Sequence, residues 1–134
     1  MLVRAWVDDD QLVVRLPWTL AMAARRRTLR LPLDCVADVR VEPSWWRAVR
    51  IGMPGRHYRF RAGRWCAGEL VHAKGRDFVA LWQGAPALVV DCHPWKSPYA
   101  RLALSVRDPH ALAALLRQRT DRGSDREGAG RKAA

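Results

Sequence analysis

The chain has 134 residues, 49% hydrophobic and 28% charged, which is enough to bury the core of one domain and too little for a large multidomain enzyme. Lys and Arg number 24 against 13 Asp and Glu, giving a net charge of +11. Such a charge favours nucleic acid, anionic lipid or an acidic protein as partner without specifying a fold. Twenty-one of the 24 cations are arginine in an alanine-rich chain, a bias that genome base composition also produces.

Two short apolar runs, Leu2 to Val7 and Leu12 to Leu16, flank Asp8-Asp9-Asp10 and predict a β-hairpin. Pro17 then opens an Ala-rich run that predicts a short helix over 18–24, since proline is preorganised for a first helical turn. Strands are expected at Thr28 to Leu31 and Val36 to Val41. From Ser44 to Gly63 the pattern is irregular and reads as a long loop. Strands follow at Glu69 to Ala73, Asp77 to Trp82, Ala87 to Val90 and Arg101 to Val106. Asp108 and Pro109 then start a helix expected over 109–119, with Leu112, Leu115 and Leu116 facing inward. Residues 1–119 read as one domain and the polar, basic 120–134 as a disordered tail.

Many short strands followed by one amphipathic helix predict a mainly β fold with a minor helical part. The expected form is a small antiparallel barrel or sandwich of about seven to eight strands, capped by the final helix.

The order of several segments resembles the bacterial pleckstrin-homology-like domains, a set of short and mostly uncharacterised bacterial proteins. These segments are Gln11 to Leu16, the short helix, Leu31 to Val39, Arg50 to Gly55, Gly75 to Phe78, and Tyr99 to Pro109. The likeness spans about residues 2–119. It implies two roughly orthogonal antiparallel sheets closed by the last helix and no catalytic activity. It brings no agreed ligand and no functional residues. Residues 56–66 depart from that pattern in their wealth of Arg and aromatics.

The charge is concentrated. Residues 25–64 hold eleven arginines against three acidic residues, +8 of the net +11. One cluster is Arg25, Arg26 and Arg27 with Arg30. The other is Arg47, Arg50, Arg56, Arg59, Arg61 and Arg64, interleaved with Trp45, Trp46, Tyr58, Phe60 and Trp65. Arg pairs with phosphate in a two-pronged geometry and aromatic faces stack on bases, so the mixture suits a polyanion. It equally suits a solvated loop whose arginines stack on their own aromatics. The Arg25–Arg27 run also complements the C-terminal end of a helix dipole. An inositide headgroup is disfavoured, because the loop of the first hairpin is Asp8-Asp9-Asp10.

Cys35, Cys66 and Cys92 are isolated and odd in number, which predicts buried thiols in a reducing compartment and not a disulfide framework. Cys66 borders the basic loop, so nearby arginines are expected to lower its pKa. Asp77 and Asp91 read as strand-end residues that satisfy turn amides. No spacing of Cys, His or acids forms a metal motif, and no cofactor is expected. Trp6, Trp18 and Trp82 read as core; of the adjacent Trp45 and Trp46, one is expected to be exposed and to lead a contact. The N-terminus lacks a basic start followed by a long apolar run, and the protein is expected to be cytoplasmic.

The resulting expectation is a non-catalytic module that meets a protein partner through the Arg/Trp-rich segment 45–65. Its contact residues are Trp45, Trp46, Arg47, Arg50, Arg56, Arg59, Arg61 and Arg64, with Arg25, Arg26, Arg27 and Arg30 as a secondary basic cluster. The alternative is electrostatic binding of nucleic acid or anionic membrane through the same surface, without a transmembrane segment.

Overall fold

The computed structural model describes residues 2–50, 52–93 and 95–133, with side chains described as far as Asp121. The first hairpin joins β1 (Arg4–Asp8) to β2 (Gln11–Arg15) through Asp9 and Asp10. Asp9 adopts φ 52°, a left-handed conformation that a short polar side chain tolerates. Helix α1 (Trp18–Ala24) follows Pro17 and buries Leu20, Ala21, Ala23 and Ala24. It ends where Arg25 turns left-handed and donates its N–H to the Ala21 carbonyl. Strand β3 (Thr28–Pro32) then returns beside β2, so the small sheet runs β1-β2-β3.

The large sheet has the order β4 (Val36–Glu42), β9 (Ala87–Cys92), β10 (Arg101–Leu104), β8 (Gly75–Trp82) and β7 (Trp65–His72). Two short pieces, β5 (Met53–Pro54) and β6 (Arg59–Arg61), pair one after the other along the outer edge of β7. One face of this sheet meets the small sheet, α1 and the final helix α3 (Pro109–Ala133) in the main core. The other face carries a second cluster, Cys66, Leu70, Val79, Leu81, Ala87, Val89 and Ala103. It is covered by helix α2 (Trp45–Ala48) with Trp45, Val49 and Tyr58. Burial on both faces explains why β8, β9 and β10 are nearly continuous in apolar residues and do not alternate.

The mainly β class, the short helix near 18–24 and the C-terminal helix are as expected, and the arrangement is a sandwich and not a closed barrel. Ten strands are formed among the described residues, because the segment read as a loop from Ser44 to Gly63 contains α2, β5 and β6. Two pairings break the antiparallel expectation: β10 enters between β8 and β9 and runs parallel to β8, and Val3 forms a parallel bridge to Val106. The four residues Gln83 to Pro86 therefore bridge two strands that are not hydrogen-bonded neighbours. The inward stripe of α3 is Pro109, Ala113 and Leu116 with Leu112 beside it, whereas Leu115 is 39% exposed. The 109/113/116 spacing follows the helical period, which carries Leu115 round to solvent. The helical backbone continues beyond 119 to Ala133, through the segment read as a tail, and the Thr120 hydroxyl bonds back to the Leu116 carbonyl at 2.7 Å. No helix among the described residues is long and apolar enough to cross a membrane.

Candidate binding surfaces

The fold divides the basic segment that the sequence presents as continuous. Trp46 is the exposed member of its pair, 57% accessible, and Arg47 lies over its ring at 5.1 Å. Both sit on α2, which lies against β9 and β4. Arg56, Arg59, Arg61 and Arg64 belong to the opposite edge, beyond β7. At roughly 4.8 Å per strand, β6 lies about 19 Å from β9, so Trp46 and the β6 arginines do not form one patch. Trp45 and Trp65 are partly buried against the two core clusters.

Arg50 is not a free contact residue. Its Nε and one terminal nitrogen each donate to Asp77 at 2.9 Å. Asp77 is 1% exposed and also holds His72 Nε2 at 2.7 Å. A companion cluster lies along the same row of the sheet, where Arg101 registers with both Asp77 and Asp91. Arg101 Nε and Arg40 each donate to Asp91 at 2.6 Å. Burial alone would raise the Asp91 pKa, but the bonds from Arg101 and Arg40 outweigh it and hold the carboxyl below its ordinary value. Asp77 and Asp91 thus bind arginines and not turn amides. Sequence spacing gives no sign of this, because Arg50 and Asp77 are 27 positions apart.

The edge formed by β5 and β6 depends on Gly68. Its φ is 123°, and a Cβ there would strike the His57 carbonyl oxygen and lie 2.5 Å from the Tyr58 Cα. This close approach lets residues 55–58 bulge against β7 between the two short strands while staying bonded to it, with Gly55 N–H donating to the Glu69 carbonyl at 2.7 Å and Glu69 N–H to the Arg56 carbonyl at 3.2 Å. Arg59 registers with Ala67 and Arg61 with Trp65, both on the main-core side of the sheet where α1 packs. Phe60 registers with Cys66 on the other side, 67% exposed, its ring 6.2 Å from that of Tyr58.

Helix α1 lies against β7 and β6, which brings the first basic cluster to the same side as Arg59 and Arg61. Arg25 is exposed at the helix end. Arg26 donates to the Tyr99 hydroxyl at 2.6 Å, and that hydroxyl donates to Glu69 at 2.9 Å. Burial and the Glu69 bond push the Tyr99 phenol up to about 12, so it stays protonated. Arg27 is structural: its guanidinium lies 4.1 Å from the Trp18 ring centre and donates to the Leu16 carbonyl at 2.8 Å. Arg30 stands apart from Arg25–Arg27, on the outer face of the small sheet beside Val13.

Two tryptophans expected in the core are on the surface. Trp18 is 68% exposed and Met22, one helical turn on, is 75% exposed. They occupy the α1 face opposite Leu20, Ala21 and Ala24, and the i, i+4 spacing was the available signal. Trp6 is 41% exposed, while its strand neighbours Ala5 and Val7 pack inward. Trp82 is partly buried against the main core, as expected. Met53, 73% exposed, registers with Val71 on the α1 side of the β5 edge.

The thiols are not activated. Burial pushes Cys66 up to about 11 and Cys92 up to about 12, and it raises Cys35 as well. The lowering expected at Cys66 from the basic segment does not occur, since its side chain points into the second core cluster, away from Arg59 and Arg61. His72 resembles half of an acid–base dyad, but both ring nitrogens are engaged: Nε2 with Asp77, and Nδ1 accepting the Lys74 N–H at 3.0 Å. Among the described residues no group of His, Cys, Asp or Glu is arranged to hold a metal ion. A cleft of about 270 Å³ lies between β4 and α3, lined by Val36 to Val39, Arg117, Thr120 and Asp121. Arg117 there donates twice to the Val39 carbonyl, at 3.1 and 2.8 Å, and so occupies the open edge of β4. No protein-family model, curated protein or solved structure matches this chain.

Proposed function

We propose that the chain is a non-catalytic binding module that docks an acidic protein partner on the side formed by α1 and the β5–β6 edge. The observation that carries this reading is the exposure of Trp18 and Met22 on a helix beside Arg25, Arg59 and Arg61. None of these three arginines forms an ion pair among the described residues. Trp, Met and Arg are the residue types enriched in interface centres, where apolar anchors give affinity and the charges give orientation and faster encounter. Arg56 and Arg64 extend the same edge, whereas Trp46 and Arg47 would meet a partner only on the far side of the sheet. The acidic turn Asp8–Asp10 lies at the other end of β2 from α1, about 16 Å along the strand, and does not oppose an anionic partner there. The engaged ring of His72 and the protonated thiols support a non-catalytic role. The succession of hairpin, helix, strands and final helix supports the resemblance to pleckstrin-homology-like domains; the parallel β8–β10 pair is a departure from it.

Selection of displayed peptides on the wild-type protein, counter-selected on Trp18→Ala/Met22→Ala, tests the reading. Peptides combining Asp or Glu with an apolar anchor are expected to be enriched, and to lose binding to Arg59→Glu/Arg61→Glu. Peptides that bind the anchor-less variant equally well would overturn it. Binding of anionic vesicles or oligonucleotides at this side, lost in the same variants, would replace it by the electrostatic alternative.

A further inference from the structure

The outer face of the small sheet is a separate surface with its own chemistry. Its rows are set by register. Arg4 stands directly opposite Arg15, and in the next row Trp6, Val13 and Arg30 lie side by side across the three strands. All three arginines are exposed, and none forms an ion pair among the described residues. Like charges directly opposite on neighbouring strands destabilise a sheet. The acid on this face, Asp8, is two residues along β1 from Trp6, about 7 Å, and four from Arg4, about 14 Å and beyond the screening length of ~8 Å, so an anionic strand is favoured to run from Trp6 towards Arg4 and Arg15 and not towards the Asp8–Asp10 turn. Val13, between Trp6 and Arg30 in this row, is only 1% exposed although it belongs to neither core cluster. Trp6, 41% exposed, is the aromatic side chain of this row and stands next to Val13 and Arg30.

We infer that this face binds a single strand of nucleic acid, one base stacking on Trp6 and phosphates meeting Arg4, Arg15 and Arg30. Rows about 7 Å apart separate the stacking platform from the Arg4–Arg15 pair. An aromatic face beside unpaired cations is the chemistry such strands require, and two opposed guanidiniums lose their mutual repulsion when a phosphate enters between them. The alternatives fit less well. Three strands of five residues span roughly 250 Å², well below the ~800 Å² per partner of a stable protein interface. A lipid bilayer takes up an apolar surface, and among the described residues Trp6 is the one large hydrophobic side chain exposed on this face.

The test is anisotropy of a labelled eight-residue oligo(dT) titrated with the full chain at several salt concentrations. Trp6→Ala is expected to weaken binding about tenfold at unchanged salt slope. Arg4→Gln/Arg15→Gln is expected to lower that slope by about 1.4, at ~0.7 per phosphate contact on a single strand. Trp6→Phe keeps a stacking face and is expected to retain binding, which separates lost stacking from lost folding. A charge-matched reference, Arg107→Gln/Arg119→Gln, removes two exposed cations elsewhere. Absence of salt-sensitive binding by the wild-type chain overturns the inference. So does a reference variant that loses as much slope as the Arg4/Arg15 pair, or an unaltered affinity in Trp6→Ala.

Discussion

Arg50→Met is expected to destabilise the fold and not to impair a contact surface. The substitution keeps most of the aliphatic volume and removes both 2.9 Å bonds to Asp77, whose carboxylate is 1% exposed and, among the described residues, keeps the side-chain bond of His72. Removing one partner of a buried ion pair costs about 3–5 kcal/mol, because the remaining charge is left without compensation. The Arg50 side chain is 24% exposed, so water reaches the site after substitution and places the loss at the lower end, ~3 kcal/mol. At about 4 °C per kcal/mol for a domain of this size, the melting temperature falls by ~12 °C. Urea unfolding followed by tryptophan fluorescence measures this as a lower midpoint at unchanged slope. Adding Asp77→Asn to Arg50→Met removes the stranded charge while the amide oxygen still accepts from His72. The double variant is therefore expected to recover ~1–2 kcal/mol of the loss. A single variant within 0.5 kcal/mol of wild type, or a second substitution that deepens the loss, refutes the reasoning.

Further outcomes follow from the same geometry. Arg101 and Arg40 hold Asp91 below the ordinary carboxylate pKa, so its contribution to stability is complete above the unfolded value and drains away as pH falls through the lowered folded one. Asp91→Asn is expected to cost about 2 kcal/mol at pH 7 and much less at pH 3, read from urea midpoints at the two values. Gly68→Ala is expected to abolish the native edge, since φ 123° and the close backbone of His57 and Tyr58 leave no space for a methyl group; the purified variant should expose the β7 edge and aggregate. Arg25→Gly relieves a left-handed arginine and is expected to raise stability by ~0.5–1 kcal/mol while weakening any acidic peptide bound beside α1. Cys66 and Cys92, raised to about 11 and about 12, are expected to resist alkylation at pH 8 until the chain is unfolded in urea, and rapid native labelling would contradict their burial.

What could be read in advance was local. Pro17 followed by Leu20 to Ala24 places α1, and Asp108-Pro109 starts α3, because caps and propensities act within a few residues. What could not be read was set by neighbours distant in the chain. The apolar runs of β8 and β9 look alike whether one face or both are buried, and only the packing of α2 shows that both are. The grouping of the arginines failed for the same reason. Arg50 and Arg56 are close in sequence, yet one is tied to a buried carboxylate on β8 and the other lies on the outer edge of β7. Trp6 marks an intermediate case: the Asp9-Asp10 turn fixes a register that places it opposite Val13, so strict alternation with Ala5 and Val7 would have turned it outward.

The position of β10 bears on how the chain reaches this structure during synthesis. Residues 75–92 leave the ribosome as two apolar strands whose shared neighbour, Arg101–Leu104, has not yet been made. Until it arrives, β8 and β9 each carry an unsatisfied edge, and closing them directly onto one another gives a hairpin that must reopen to admit β10. The unpaired edges of two apolar strands thus stand open together until β10 is made, and the β8–β10 pairing is a non-local contact, of the kind that slows folding relative to a local hairpin.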